Sequence, residues 1–177
     1  AVVGEPTRLR GVVAHNGALR TRITTRGVSA HSSNPDNGVN AIYRMARAVL
    51  SLEQLAESLR ERAPHPLVGR PTLSVGTIVG GMAVNIVPEL CQIMVDRRLI
   101  PGETPDGAFD EIAEALDGIL EPGDDLAHTL KDWPVETDRN AGIVETVREA
   151  VRAIGGEDEP EGAPYCTDGC DFAERGV

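Results

Sequence analysis

The succession of residue periodicities constrains this chain more than any single residue does. Between residues 18 and 136 it reads strand, helix, strand, strand, helix, strand. Residues 18–26, "ALRTRITTR", set Arg20, Arg22, Thr24 and Arg26 against Leu19, Thr21, Ile23 and Thr25, a period of two with one face solvated. Residues 39–62 carry Ile42, Met45, Val49, Leu52, Leu55 and Leu59 at helical spacing, one apolar stripe. The prolines of "APHPLVGRP" end that helix. Residues 72–81 alternate again through Leu73, Val75 and Val79. In residues 89–99, Cys91, Ile93 and Val95 fall on one face, and Gln92, Met94, Asp96 and Arg98 on the other. Thr104 reads as a helix N-cap, with Pro105 at the first helical position and Asp106 at the positive end. Phe109, Ile112, Ala113, Leu116 and Ile119 are its buried stripe. Residues 127–136 read as a last strand, with Pro134 marking an edge or an end. This order predicts an α+β, ferredoxin-like βαββαβ unit: a four-stranded antiparallel sheet with two helices on one face.

The flanks have another character. Residues 1–7, "AVVGEPT", read as a buried strand running into a turn, and residues 10–15 as a strand paired with 18–26 across the turn "HNG". Beyond Glu136 come a polar linker, then a third helix with Ile143, Val144, Val147, Val151 and Ile154, stopped by Gly155 and Gly156. The last residues, 157–177, read as a loop, a short strand and the start of a fourth helix. Both ends look cut, so the expectation is a piece of a longer protein. Residues 17–136 would be one domain, with 1–16 and 137–177 the adjoining pieces of an α/β domain.

Composition excludes some partners. A net charge of -11 is wrong for a nucleic-acid backbone, which needs a basic surface. No apolar run approaches the roughly 20 residues that span a bilayer, so no membrane partner is expected. Cys91, Cys166 and Cys170 are odd in number and not spaced as a disulfide framework. They read as free thiols, which places the chain in a reducing cytoplasm.

Four residues could carry chemistry. His31, in "GVSAHSSNPDNGVNAI", stands at a strand-to-helix turn among small polar residues, with no second ligand at metal spacing. A lone turn histidine is commonly a surface hydrogen-bonding residue; a functional one needs a partner outside this chain. Asn85 in "GGMAVNIVP" is either a turn asparagine or a buried amide donating to a substrate oxygen. Arg98 in "DRRLIPGE" is either a surface ion pair with Asp96 or a guanidinium fork for a substrate carboxylate. Glu5, just after an apolar run, is either a turn residue or a carboxylate where α/β sheets place active-site groups. The chain has no H-E-x-x-H, no G-x-S-x-G and no phosphate-binding glycine loop, so no self-sufficient catalytic constellation.

Taken together, "VVGEPT", "AHNGAL", "RGVSAHSSNPDNGVNAI", "VGTIVGGMAVNIVPELCQIMVDRRLIPGE" and "YCTDGCDF" resemble, in order and spacing, the acetylornithine deacetylase, succinyl-diaminopimelate desuccinylase, aminoacylase and carboxypeptidase G family. The resemblance implies a zinc-dependent amidohydrolase or exopeptidase with two zinc ions in an α/β catalytic domain. A ferredoxin-like lid is inserted into that domain and makes a homodimer. It implies that Glu5 binds one zinc, and that His31 crosses the dimer interface and donates to the substrate carbonyl oxygen in the partner's site. Asn85 and Arg98 would hold the carboxylate or amide oxygens of an N-acyl amino acid or small peptide. Thr167, with Asp168 and Gly169, would belong to a catalytic-domain loop near the substrate. The family's remaining zinc ligands and its Glu-Glu pair have no counterpart here, so this chain alone is expected to hold no catalytic zinc and to hydrolyse nothing. The competing readings are a free-standing ferredoxin-like module that senses an amino acid or recruits a protein, and a homologue that has lost its zinc ligands.

Overall fold

A computed structural model describes residues 1–175. Four long strands form one antiparallel sheet. They are β2 (Gly17–Arg26), β4 (Thr72–Gly80), β6 (Leu90–Leu99) and β7 (Asp125–Asp132), in the order β4-β6-β2-β7. Helices α1 (Ala41–Glu61) and α2 (Pro105–Ala115) lie on one face of it. This is the expected ferredoxin-like unit.

The reasons are local first. Asn40 Oδ1 accepts from the main-chain N–H groups of Ile42 (2.9 Å) and Tyr43 (3.2 Å), satisfying two free donors at the start of α1. The helix therefore begins two residues later than the pattern predicts. Thr104 caps α2 as expected, accepting from Gly107 N at 3.0 Å. Strand parity then fills the core. Leu19, Ile23, Ile93, Val95 and Leu99 meet Met45, Leu52, Leu59, Ile112 and Leu116, all essentially inaccessible. The opposite parity, Arg20, Arg22 and Arg26 on β2, reaches solvent.

Two ion clusters are buried within this core. Arg97 has the core parity of β6 and is fully buried; its guanidinium pairs with Glu103 (2.8 Å) and Glu111 (3.2 Å), which Arg62 also meets. Arg44 on α1 donates to Asp124 Oδ2 (2.7 Å) and to the carbonyl of Arg26 (2.6 Å).

Three expectations about the flanks are corrected. Residues 10–15 and 18–26 do not form a hairpin. β1 (Val12–His15) joins a separate three-stranded sheet, β8-β1-β9, with β8 (Val135–Glu136) and β9 (Glu161–Ala163). Only Asn16 separates β1 from β2, too little chain to reverse direction. Gly17 is required there, because a Cβ would lie 2.5 Å from the Asp132 carbonyl oxygen. The predicted strand 127–136 is two strands, β7 and β8, because Pro134 has no N–H to continue the ladder. Chain therefore passes between the two sheets side by side at Asn16 and at Trp133–Pro134. Residues 1–7 form no strand; among the described residues no strand pairs with them, and Val2 is exposed.

The third helix, α3 (Gly142–Ala153), ends at Gly155, whose φ of +76° suits glycine. The fourth, α4, is Gly169–Glu174. The end of the predicted final turn, Gly176 and Val177, lies outside the described residues.

Candidate functional site

The site residues are placed by one arch and one loop. After β2, the chain makes β3 (Ala30–His31) and a 3-10 turn at Pro35–Asn37 before α1. β3 pairs antiparallel with β5 (Ile86–Val87), His31 opposite Ile86. Two glycines let this arch close. A Cβ on Gly27 would sit 2.0 Å from the Val39 carbonyl oxygen, and one on Gly38 2.6 Å from that of Val28.

His31 and Asn85 are brought together. The main-chain N–H of Ser32 donates to the carbonyl of Asn85 at 3.0 Å. Both side chains are exposed in this chain. Among the described residues nothing covers the His31 and Asn85 side chains. His31 Nδ1 lies 2.8 Å from Ser33 Oγ and accepts the Ser33 main-chain N–H at 3.2 Å. A groove of about 1120 Å³ adjoins the arch, lined among others by Ser32, Asp36, Asn40, Tyr43, Met82 and Val84.

Arg98 and the Thr167 loop form a second cluster. Arg98 lies on the solvated face of the sheet, where its Nε donates to Asp96 Oδ1 at 2.7 Å. The surface pair weighed from the sequence is therefore present. Its Nη1 faces Cys166 Sγ at 4.0 Å, which brings the loop holding Thr167 against the four-stranded sheet. Thr167 Oγ1 accepts from Gly169 N at 3.1 Å. Burial, then the charge of Asp132, pushes the Cys166 thiol up to about 11, against the pull of Arg98.

That shift has a signed consequence. An unfolded thiol ionises near 9, the folded one near 11, so the folded chain retains the proton the unfolded chain loses. Stability from this group is complete below pH 9 and is lost as pH rises towards 11. Denaturant midpoints measured across that window should fall less steeply in Cys166→Ser than in the parent chain.

The two clusters are far apart. Arg98 is near the end of β6, and Asn85 precedes its start at Leu90. A ten-residue strand spans roughly 30 Å, so no small substrate touches His31 and Arg98 of one chain together. Glu5 stands with neither cluster; among the described residues its carboxylate makes no ion pair or hydrogen bond. Nor do the described residues hold any group of three or more His, Cys, Asp or Glu able to bind a metal. One carboxylate does not make a zinc site, so the residues present do not fit the implied pair of ions.

Sequence reasoning passed over two features near these sites. Arg97 was detectable, since residues 91, 93, 95, 97 and 99 share the core parity and a charge there demands partners. The exposed edge of β4 was not. Ile78, Val79, Met82 and Val84 of that edge and the turn after it are all exposed, Val79 at 73% and Met82 at 88%. Among the described residues no helix is long and apolar enough to cross a membrane.

Comparison with known proteins agrees with this geometry. The M20 peptidase dimerisation domain matches residues 13–124. An acetylornithine deacetylase of Myxococcus xanthus is 34% identical, covering 100% of this chain and 47% of the relative. One from Pectobacterium atrosepticum is 38% identical over 76% of this chain and 33% of the relative. The chain thus spans about half, or less, of the curated relatives it matches. Among solved structures, the aminopeptidase PepT of Bacillus cereus superposes with a TM-score of 0.71 at 22% identity, covering 95% of this chain and 43% of that one. The M20 family metallo-carboxypeptidase Sso-CP2 of Sulfolobus solfataricus gives 0.67 at 19% identity, over 86% of this chain and 46% of that one. With the sheet, the helices and the matched residues all in agreement, the chain belongs to the M20 peptidase dimerisation-domain family.

Proposed function

We propose that this chain is the dimerisation and substrate-closure segment of a zinc-dependent amidohydrolase. The whole enzyme cleaves the amide bond of an N-acyl amino acid or small peptide bearing a carboxylate. The curated relatives, named acetylornithine deacetylases, favour an acetyl over a succinyl group. Residues 17–136 are the lid, and residues 1–16 and 137–177 are its continuations into the catalytic domain. The three free thiols favour a cytoplasmic setting.

The observation that supports the arrangement is that most of β6, about 26 Å of strand from Leu90 to Arg98, lies between the two clusters. Since one substrate cannot reach both within a chain, His31 and Asn85 serve the partner's site, while Arg98 and Thr167 serve their own. There His31 donates to the scissile carbonyl oxygen as negative charge grows on it, a contribution of about 3–4 kcal/mol. Arg98 keeps Nη1 available for the substrate carboxylate, while Asp96 holds its Nε. Glu5 supplies one metal ligand to a site otherwise built outside this chain.

The edge strand β4 is the dimer surface. It ends one side of the sheet, and its exposed Ile78 and Val79 offer backbone and apolar area to a second copy. Light scattering after gel filtration should give twice the chain mass, and Val79→Lys should give the mass of one chain. A wild-type chain that stays monomeric at every concentration would overturn this interface. The alternative of a free-standing sensing module is disfavoured by the match to a dimerisation domain over residues 13–124.

A further inference from the structure

The hydrogen bonds around His31 run in one direction. The Asn34 side-chain N–H donates to Ser33 Oγ at 3.4 Å. The hydroxyl, accepting there, turns its own hydrogen to His31 Nδ1 at 2.8 Å. The Ser33 main-chain N–H points at the same nitrogen at 3.2 Å. A main-chain amide can only donate, so Nδ1 is an acceptor and carries no proton. The neutral ring then has its hydrogen on Nε2, for which no partner is present among the described residues.

We propose that Ser33, backed by Asn34, is a positioning residue that holds His31 as the Nε2–H tautomer. This inference rests on the role given to His31 under Proposed function. A donor to a developing oxyanion must present a hydrogen. The other tautomer would present the lone pair of Nε2 and repel the charge it should stabilise. Without the hydroxyl the exposed ring keeps only the longer main-chain donor and exchanges more freely between both forms. Ser33 thereby keeps the arch competent before a substrate arrives, without touching the substrate itself.

The test separates this role from a structural one. The nitrogen-15 chemical shifts of the His31 ring are measured in the labelled 177-residue chain at a pH where the ring is neutral. Wild type should show an unprotonated Nδ1 and a protonated Nε2. Ser33→Ala removes the hydroxyl but keeps the main-chain N–H, so it should move both shifts part of the way towards the averaged values of a free ring, and Ser33→Thr should restore them. His65 is an internal reference, because its Nδ1 accepts from the Leu67 main-chain N–H at 3.2 Å, and it should not change. Averaged His31 shifts in wild type, or an unchanged pattern in Ser33→Ala, would overturn the proposal. In the whole dimeric enzyme, Ser33→Ala should lower kcat with little change in KM, by less than the roughly 100- to 1000-fold expected for removing the donor itself. A locked tautomer in wild type, released in Ser33→Ala, together with a whole enzyme indifferent to His31→Ala, would leave Ser33 its positioning role and remove the function assigned to His31.

Discussion

His31→Ala in the whole dimeric enzyme is expected to lower kcat about 100- to 1000-fold, the usual cost of removing one oxyanion donor. KM should change little, because the interaction strengthens only as charge develops. The side chain is exposed, so the fold should survive the change. Mixed dimers test whether the histidine crosses. One subunit carries His31→Ala and the other Glu5→Ala. If His31 serves the partner, the subunit with an intact Glu5 receives its donor from the other lid, and activity returns to about half of wild type per dimer. If His31 serves its own subunit, both sites lack an essential group and the mixed dimer stays as inactive as its parents. That second result would end the crossed arrangement.

Asp124→Ala is expected to destabilise the chain by at most about 3–5 kcal/mol, the cost of a buried charge that loses its partner, because Arg44 keeps the exposed Glu121 at 3.2 Å. The Asp124 side chain is only 1% exposed and that of Arg44 8%. Its two oxygens also accept from the main-chain N–H groups of Arg26 (2.7 Å) and Glu121 (3.0 Å), so three donors lose their acceptor together. Urea unfolding followed by circular dichroism measures the loss as a lowered midpoint. The double change Arg44→Met with Asp124→Leu should recover part of it, since neither charge then remains buried while the two main-chain donors still lack their acceptor. Lys131→Ala, which removes an exposed pair with Asp106, should leave the midpoint nearly unchanged. Asp124 holds the end of β2, one residue before Gly27 opens the His31 arch. Its loss should therefore loosen the arch as well as the core.

The four-stranded unit was legible because its signals are local. Alternation in residues 18–26 and 89–99 tells which side chains face inward, and a 3.6-residue stripe does the same for α1 and α2. The Thr104 and Pro105 pair marks the start of α2 unaided. The flanks were misread because they depend on distant pairing. Residues 10–15 look like half of a hairpin, yet their partners are Val135–Glu136 and Glu161–Ala163, more than a hundred residues away. Nothing in a short window distinguishes these alternatives.

The site divides in the same way. His31, Asn85, Arg98 and Thr167 were singled out by residue type and by resemblance, and the tertiary structure sorted them into two clusters. The sorting follows from the length of β6, which holds its two ends apart, and from the pairing of β3 with β5, which draws residues 31 and 86 together. By itself the sequence determined the elements, their inward faces and the residue types available for chemistry, because these depend on neighbours within a few residues. Only the tertiary structure decided which sheet each strand joined, that Arg97 and Asp124 are held in ion clusters, and that His31 and Arg98 stand too far apart for one substrate. Those outcomes depend on contacts between residues distant in the chain, and no local pattern encodes them.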